Sequence, residues 1–422
     1  MNYLTDETSR CRVQSLMKYN RNVILTGLTS FFTDVSSEML YPLIQAFVST
    51  VLASHKALVG PALGIIEGVA ESTASLLKVF AGYYSDRIQL RKAPAIAGYG
   101  LSAFSKLLLF LASAGWYFVL ISRFFDRVGK GIRTAPRDAL IYESTEKDRR
   151  GAAFGFQRAM DFAGATLGVA MCYFVCLKSM DPLSKSLRDI NAFYLLFGVS
   201  VVPAFLGLTF LFFVKETRSP SGQAKEKPRP NLDFRKYDRS LRLFFLAQCF
   251  FTLGNSSNQF LLLRSMNLGV ALPGVILMYL AFNLSSTLLS AFFGALSDAV
   301  GRRKVLLAGY ALYAAVYGCF GLVTREYSAF LWLFWIVYGV YYAMTEGVEK
   351  AFVGDLSPDG SRATALGFFY TIVGIGLLPA SVIAGFLFSL APAAPFIFGS
   401  CMSVCAFLVL ALFVKERKAS GA

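Results

Sequence analysis

Gly294-Ala-Leu-Ser-Asp298-Ala-Val-Gly301-Arg-Arg-Lys304 breaks a long apolar run, and Gly82-Tyr-Tyr-Ser-Asp86-Arg87-Ile-Gln89-Leu-Arg91-Lys92 breaks another, 212 positions earlier. Gly82, Ser85, Asp86, Arg91 and Lys92 recur as Gly294, Ser297, Asp298, Arg303 and Lys304. From there the register holds without a gap: Glu143 falls on Asp355, Arg150 on Arg362, Ala153 on Ala365, Gly155 on Gly367 and Phe156 on Phe368. The 422-residue chain is therefore two related halves of nearly equal length, each carrying one charged loop between apolar segments.

The background to that repeat is a membrane composition. Apolar residues make up 55% of the chain and charged residues 16%, well below the roughly 25% charged residues of soluble domains. Mean hydropathy is +0.54. Apolar windows of about 20 residues, enough to cross a bilayer as helix, recur at 22–52, 60–84, 93–114, 116–143, 151–177, 191–214, 241–268, 271–298, 304–323, 328–355, 363–390 and 393–414. The expected fold is an all-α integral membrane protein with twelve transmembrane helices arranged as two pseudo-symmetric six-helix bundles.

A net charge of +15 would suit a nucleic-acid partner, but the charges follow the loops. Lys and Arg crowd the N-terminus, residues 85–92, 215–242 and 298–304, and the tail at Lys415, Arg417 and Lys418. The alternate loops hold only Lys56, then Lys178, Lys185 and Arg188, then Arg325. Such alternation places basic loops on the cytoplasmic side. It predicts a multi-pass protein of a bacterial cytoplasmic (inner) membrane with both termini cytoplasmic, in contact with lipid and not with nucleic acid. The first twenty residues are polar, so the first span is expected to double as the targeting signal.

The one obvious linker is Lys215–Ser240, rich in Lys, Arg and Pro, with a helix-resisting Pro228-Arg229-Pro230. The predicted organisation is an N-terminal six-helix bundle at 1–214, a basic cytoplasmic linker at 215–240, and a C-terminal six-helix bundle at 241–422. Phe213-Val214-Lys215-Glu216 and Phe413-Val414-Lys415-Glu416 close the two halves alike.

These motifs resemble the major facilitator superfamily over nearly the whole chain. The segment from Gly294 to Lys304 is similar to that family's loop motif between the second and third spans of a half. In the copy from Gly82 to Lys92, Gln89 and Leu90 stand where the family has Gly and Arg. Arg123-Phe-Phe-Asp126-Arg127-Val-Gly129-Lys-Gly131 resembles the fourth-span motif, with Asp126 and Arg127 in place of Gln and Gly. The stretches around Asp34 and Glu38, and from Arg127 to Asp138, look like a prokaryotic branch of the superfamily whose substrates the motifs do not name. The resemblance implies a gating role for Gly82, Asp86, Arg91, Lys92, Gly294, Asp298, Arg303 and Lys304. Gly82 and Gly294 should allow close helix approach, and Asp86 and Asp298 should accept hydrogen bonds from a helix N-terminus. Arg137 and Asp138 are expected at the inner gate.

The halves differ in the charge they carry inside the membrane. A charged side chain near mid-bilayer costs at least about 2.5–3.5 kcal/mol on insertion scales, so it seldom persists unpaired. Asp34 and Glu38 share one face of span one, and Glu67, Glu71 and Lys78 share a stripe of span two. Arg123, Arg127 and Lys130 share a face of span four beside Asp126, and span five adds Arg158 and Asp161. With the first and fourth helices lining a cavity, as the resemblance implies, acids of span one should face bases of span four. Asp34 or Glu38 would then titrate: a carboxyl beside Arg stays ionised, and one stripped of that partner in a dry site takes up a proton. Fixed structural ion pairs, or direct binding of an anionic substrate by the span-four bases, are the alternatives.

In the second half, Asn255, Asn258 and Gln259 of span seven and Tyr338, Tyr341, Tyr342 and Glu346 of span ten form the expected substrate-facing set. No metal spacing exists among the seven Cys and one His. No nucleophile–base pair or phosphate-binding loop suggests an enzyme, and no cofactor, metal or catalytic residue is expected. The expected function is a monomeric secondary active transporter of a small organic solute, proton-coupled and working by alternating access. Drug export by proton antiport, import of a metal chelate or siderophore, and a non-transporting sensor or scaffold are the other readings.

Overall fold

The computed structural model describes residues 20–88, 90–146, 150–179, 190–216, 237–357 and 362–415. All regular elements among the described residues are helical. Most of the expected linker, and the tail beyond Lys415, lie outside them, as do the surroundings of Gly82, Asp86, Arg150 and Arg362.

Twelve helical spans follow one another. Span one runs Arg21–Leu40, tightens into a 3₁₀ turn at Tyr41–Leu43 where Pro42 removes a backbone donor, and resumes over Ile44–Val51. Spans two to six are Val59–Ile88, Lys92–Ser105 continued as a 3₁₀ stretch Lys106–Ala114, Tyr117–Glu143, Arg150–Ser179 and Ile190–Phe212. Span seven is Arg239–Gly254, broken at residues 255–257 and resumed at Asn258–Asn267, with Ser257 capping the second piece through the Gln259 amide. Spans eight to twelve are Leu272–Val300, Arg302–Leu322, Leu331–Leu356, Arg362–Leu390 and Ala394–Phe413.

Eight of these segments are long and apolar enough to cross a membrane by length and composition alone. The four that fall short are spans one, two, four and seven. Span seven is short because its helix is broken, and the others carry Asp34 and Glu38, Glu67 and Glu71, and Arg123 to Lys130. The polar spans are therefore the ones that carry most of the predicted charge network.

Packing repeats with a shift of six spans. Span one packs on six as seven packs on twelve, two on four as eight on ten, and three on four as nine on ten. The halves meet through span two on span eleven and span five on span eight. Gly164 and Gly168 of span five face the backbone of span one, where a Cβ would run into the carbonyls of Phe31 and Val35.

The seam between halves is closed at one end and open at the other. Away from the basic loops, Gly60 and Gly64 of span two sit so close to Gly385 and Ser381 of span eleven that neither glycine could carry a Cβ without displacing backbone. Towards the basic loops, a Cβ at Gly155, Gly294, Gly347, Gly354 or Gly367 would meet nothing within 4 Å. Gly294 was expected to permit close helix approach; in this state its face is open. The two halves splay at the basic-loop end.

Candidate functional site

Arg123 and Arg127 of the first half are paired with carboxylates, though on a different helix from the one expected. Span four presents its bases to span two. Arg123 donates to Glu67 through Nε at 3.1 Å and Nη2 at 2.9 Å, and Arg127 Nη2 lies 2.8 Å from Glu71 Oε1. Glu67 is 0% exposed, so this pair stands in a dry environment where a lone charge would be very costly. Asp126 lies 3.9 Å from Arg123 Nη1 and accepts a hydrogen bond from Ser102 of span three.

Of the two span-one acids, Asp34 does lie within electrostatic reach of the span-four bases Lys130 and Arg133, whereas Arg123 and Arg127 turn to span two. Glu38 instead accepts a 3.0 Å hydrogen bond from Tyr279 Oη of span eight, across the seam. Asp34, half-buried, makes neither a hydrogen bond nor an ion pair within the described residues. The i,i+4 spacing identified which residues share a helix face. It carried no information on which helix that face meets.

One residue of this network was missed. Lys106 of span three is buried, and its ammonium donates to Ser36 and, at 3.1 Å, to Ser37 of span one. It borders a small cavity, about 30 Å³, shared with Ser122, Arg123 and Asp126, room for a water or two. A lone Lys inside the 93–114 window was the available signal.

Arg137 binds Ser30 Oγ at 2.9 Å, Asp138 at 2.9 Å and Asp161 at 3.8 Å, so its contacts tie spans four, one and five of the first bundle together. Asp161 also accepts from Gln157 at 2.8 Å. Arg158 points into the open seam, its side chain 72% exposed, with Glu346 of span ten 3.8 Å away. Lys350 shares that carboxylate at 3.5 Å.

The closed end is knitted by side chains that enter the charge network. Ser257 of span seven donates to Glu67 at 3.1 Å and sits 3.3 Å from Tyr41 Oη. Gln259 Nε2 donates to the Tyr41 carbonyl at 2.8 Å. Tyr41 stacks on Tyr279, centroids 5.3 Å apart, and lies under Arg123. Apart from the Arg123–Tyr41 stacking inside the first bundle, each contact exists only while spans one and two lie against spans seven and eight.

The second bundle uses rings where the first uses charge. Tyr313 stacks on Tyr317 at 4.1 Å and Phe251 on Tyr310 at 4.3 Å, and Tyr338 and Tyr341 pack into the same cluster. Of the expected substrate-facing set, Tyr338 and Tyr341 are buried in this cluster, with Tyr338 Oη donating to Asn258 at 2.8 Å. Gln259 is committed to the closed end. Tyr342 and Glu346 are half-buried beside the open seam, and Asn255 caps the first piece of span seven. Glu349 is buried and receives Tyr310 Oη at 3.0 Å.

The loop motifs make equivalent pairings by different residues. Arg91 Nε lies 3.2 Å from Glu143; in the second half it is Arg302, not Arg303, that reaches the equivalent Asp355, at 2.8 Å. Asp298 accepts from Arg302 at 3.2 Å rather than from a helix N-terminus, which corrects that expectation. Gly301 between them has φ of 102°, the left-handed region that favours glycine. Arg303 and Lys92 cap helices: Arg303 Nε donates to the Leu410 carbonyl at 3.3 Å, and Lys92 Nζ to the Phe212 carbonyl at 2.8 Å, each at the last turn of its half's sixth span. Cations are favoured there by the helix dipole.

Comparison with known proteins agrees with this architecture. The chain is 38% identical to an uncharacterized MFS-type transporter of Methanocaldococcus jannaschii over 416 residues, 95% of this chain and 98% of that one. Among solved structures, a nucleoside transporter, NupG, in a mutant form, superposes with a TM-score of 0.78 at 12% identity over 93% of this chain and all of that one. A D-xylose-proton symporter does so with a TM-score of 0.72 at 17% identity over 95% and 99%. The profile of the Major Facilitator Superfamily matches residues 26–263 and 244–422. With twelve spans, two halves packed alike and matches of this extent, the chain belongs to the major facilitator superfamily, a family of multi-pass membrane transporters rather than enzymes.

Proposed function

We propose that this protein is a secondary active transporter that moves a small organic solute by alternating access, driven by protons. The two bundles, 1–214 and 241–422, rock about the seam while the segment between them keeps them tethered. The observation that carries the reading is the asymmetric seam: closed at one end by Ser257, Gln259 and Tyr279 bonded to first-half groups, open at the other between Arg158 and Glu346. Opening the closed end must break the Ser257–Glu67 and Tyr279–Glu38 bonds. Each break changes the surroundings of a carboxylate, which is the link that proton coupling requires.

Asp34 is the strongest candidate for the proton-carrying group, because it is half-buried and committed to no partner among the described residues. Glu67 and Glu71, held by arginines, are the fixed members. The alternation of basic and poor loops orients the open end, with both termini, toward the cytoplasm, in a bacterial inner membrane, with the protein acting as a monomer.

Reconstituted vesicles test the reading. Solute accumulation should follow an imposed proton gradient. Asp34→Asn should abolish that accumulation while leaving solute exchange between the two sides. Accumulation unaltered in Asp34→Asn and Glu38→Gln would remove the coupling scheme, and flux never above that of empty vesicles would favour a scaffold.

A further inference from the structure

The open seam carries more positive than negative charge, and part of it lacks a partner. Lys78 of span two, Arg127 and Lys130 of span four, Arg158 of span five and Lys350 of span ten converge there. Lys78 lies within electrostatic reach of Lys130, Arg127, Glu71 and, across the seam, Lys350. Against these five cations stand Glu71, Glu346 and Asp34; Asp126, within reach of Arg127, is held by Ser102, and Asp161, within reach of Asp34, is held by Arg137. Glu71 is taken by Arg127 at 2.8 Å, and Glu346 is shared between Arg158 at 3.8 Å and Lys350 at 3.5 Å. The ammonium groups of Lys78 and Lys130 have no carboxylate within 4.0 Å among the described residues. Nearby charges face elsewhere: Arg133 lies over the Tyr99 ring at 4.5 Å, and Glu349 is turned onto Tyr310.

Beside Arg158 and Glu346 the two lips of the seam are not packed against each other. Gly155, one turn before Arg158, and Gly347, next to Glu346, both face nothing within 4 Å. A recess between walls of low dielectric, lined by a surplus of one sign, concentrates the opposite sign.

We propose that the seam takes an organic anion, a carboxylate or a phosphate ester, whose charged group sits between Lys78 and Lys130 of the first bundle and Lys350 of the second. This rests on the transport reading above and supplies its substrate class. It also supplies a reason for obligatory loading. Closing the basic-loop end without an anion drives Lys350 toward Lys78 and Lys130, and like charges brought together in a drying cleft repel. A bound anion turns that repulsion into a bridge between the bundles.

The experiment uses the full chain in non-ionic detergent, with citrate and pyrophosphate as probes, because any small multivalent anion that fits the seam should bind a site of this kind. Thermal unfolding is followed against choline chloride at matched ionic strength. Both probes should raise the midpoint by several degrees. That shift should fall by at least half in Lys78→Gln and Lys130→Gln and persist in Lys130→Arg, which keeps the charge.

No shift in the natural protein overturns the proposal. So does an equal shift in all variants, which is a general salting effect. Loss of the citrate shift when phosphatidylglycerol is added to the micelles would assign the site to a lipid headgroup and overturn the solute. The transport reading fails separately: anion binding without flux in vesicles removes transport and leaves the site, whereas flux confined to neutral or cationic solutes removes the site and leaves transport.

Discussion

Ser257 of span seven donates a 3.1 Å hydrogen bond to Glu67 of span two, the same carboxylate that holds Arg123. One buried group thus serves a pairing inside the first bundle and a contact between bundles. Glu67→Gln leaves the Arg123 guanidinium only Asp126, 3.9 Å away, as a carboxylate partner and should cost up to about 3–5 kcal/mol of stability. Ser257→Ala removes the contact between bundles together with the cap on the Gln259 amide and should cost about 1–3 kcal/mol, of which only the contact between bundles is specific to the closed-end state. Thermal unfolding in detergent reads the first effect. Labelling at the closed end by an impermeant maleimide reads the second, and labelling that does not rise in Ser257→Ala removes the latch.

Gly60 and Gly385 set how closely spans two and eleven approach. Gly60→Leu should prop that end apart, at a cost of about 1–3 kcal/mol for overpacking. In a background without the seven native cysteines, Ser256→Cys, a buried position at the span-seven break, should pass from protected to reactive when Gly60→Leu is added. Continued protection would mean that the glycines do not govern closure.

Arg302 and Asp355 lie at the loop end, and Asp355 is half-exposed. Such a pair is worth about 0–1 kcal/mol. Asp355→Asn should therefore leave the unfolding midpoint nearly unchanged while altering the rate at which the ends exchange access, measured by maleimide labelling over time. A large stability loss would assign the pair a structural role instead.

Lys106 fastens span three to span one through Ser36 and Ser37. Lys106→Ala should cost about 1–3 kcal/mol and loosen span one, the helix that carries Asp34 and Glu38. Proton-driven accumulation should fall more than solute binding does. An equal fall in both would make Lys106 part of the binding surface.

The halves, the twelve spans and the loop motif were legible because they leave periodic or repeated traces in the chain. The charge network was legible as a list and not as a set of pairs. Arg123 and Arg127 announce a shared face, but whether that face meets Asp34 or Glu67 depends on helix rotation and neighbour choice, which no local pattern encodes. Lys106 was hidden by its apolar surroundings. Arg302 was readable in principle, four residues after Asp298, but the repeat drew attention to Arg303, whose partners are the carbonyls that end span twelve. Tyr338 and Tyr341 read as polar residues on a possible lining face. Their burial followed from ring partners on spans seven and nine that are distant in sequence.

The glycines at the splayed end have a meaning beyond the state in which they are seen. Side-chain-free surface on helices exposed to a gap brings no packing energy where it stands, and glycine inside a helix costs about 1 kcal/mol relative to alanine. Gly155, Gly294, Gly347 and Gly367, all towards the basic-loop ends of their helices, mirror the engaged pair Gly60 and Gly385 at the other extremity. If the two halves rock as proposed, that smooth surface serves the closure not in use, and the chain gives up helix stability to keep it. A survey of glycine-to-alanine substitutions would map the resting and working geometries separately: stabilising where the gap is open, disruptive where the helices touch, with the signs exchanged in any variant locked the other way.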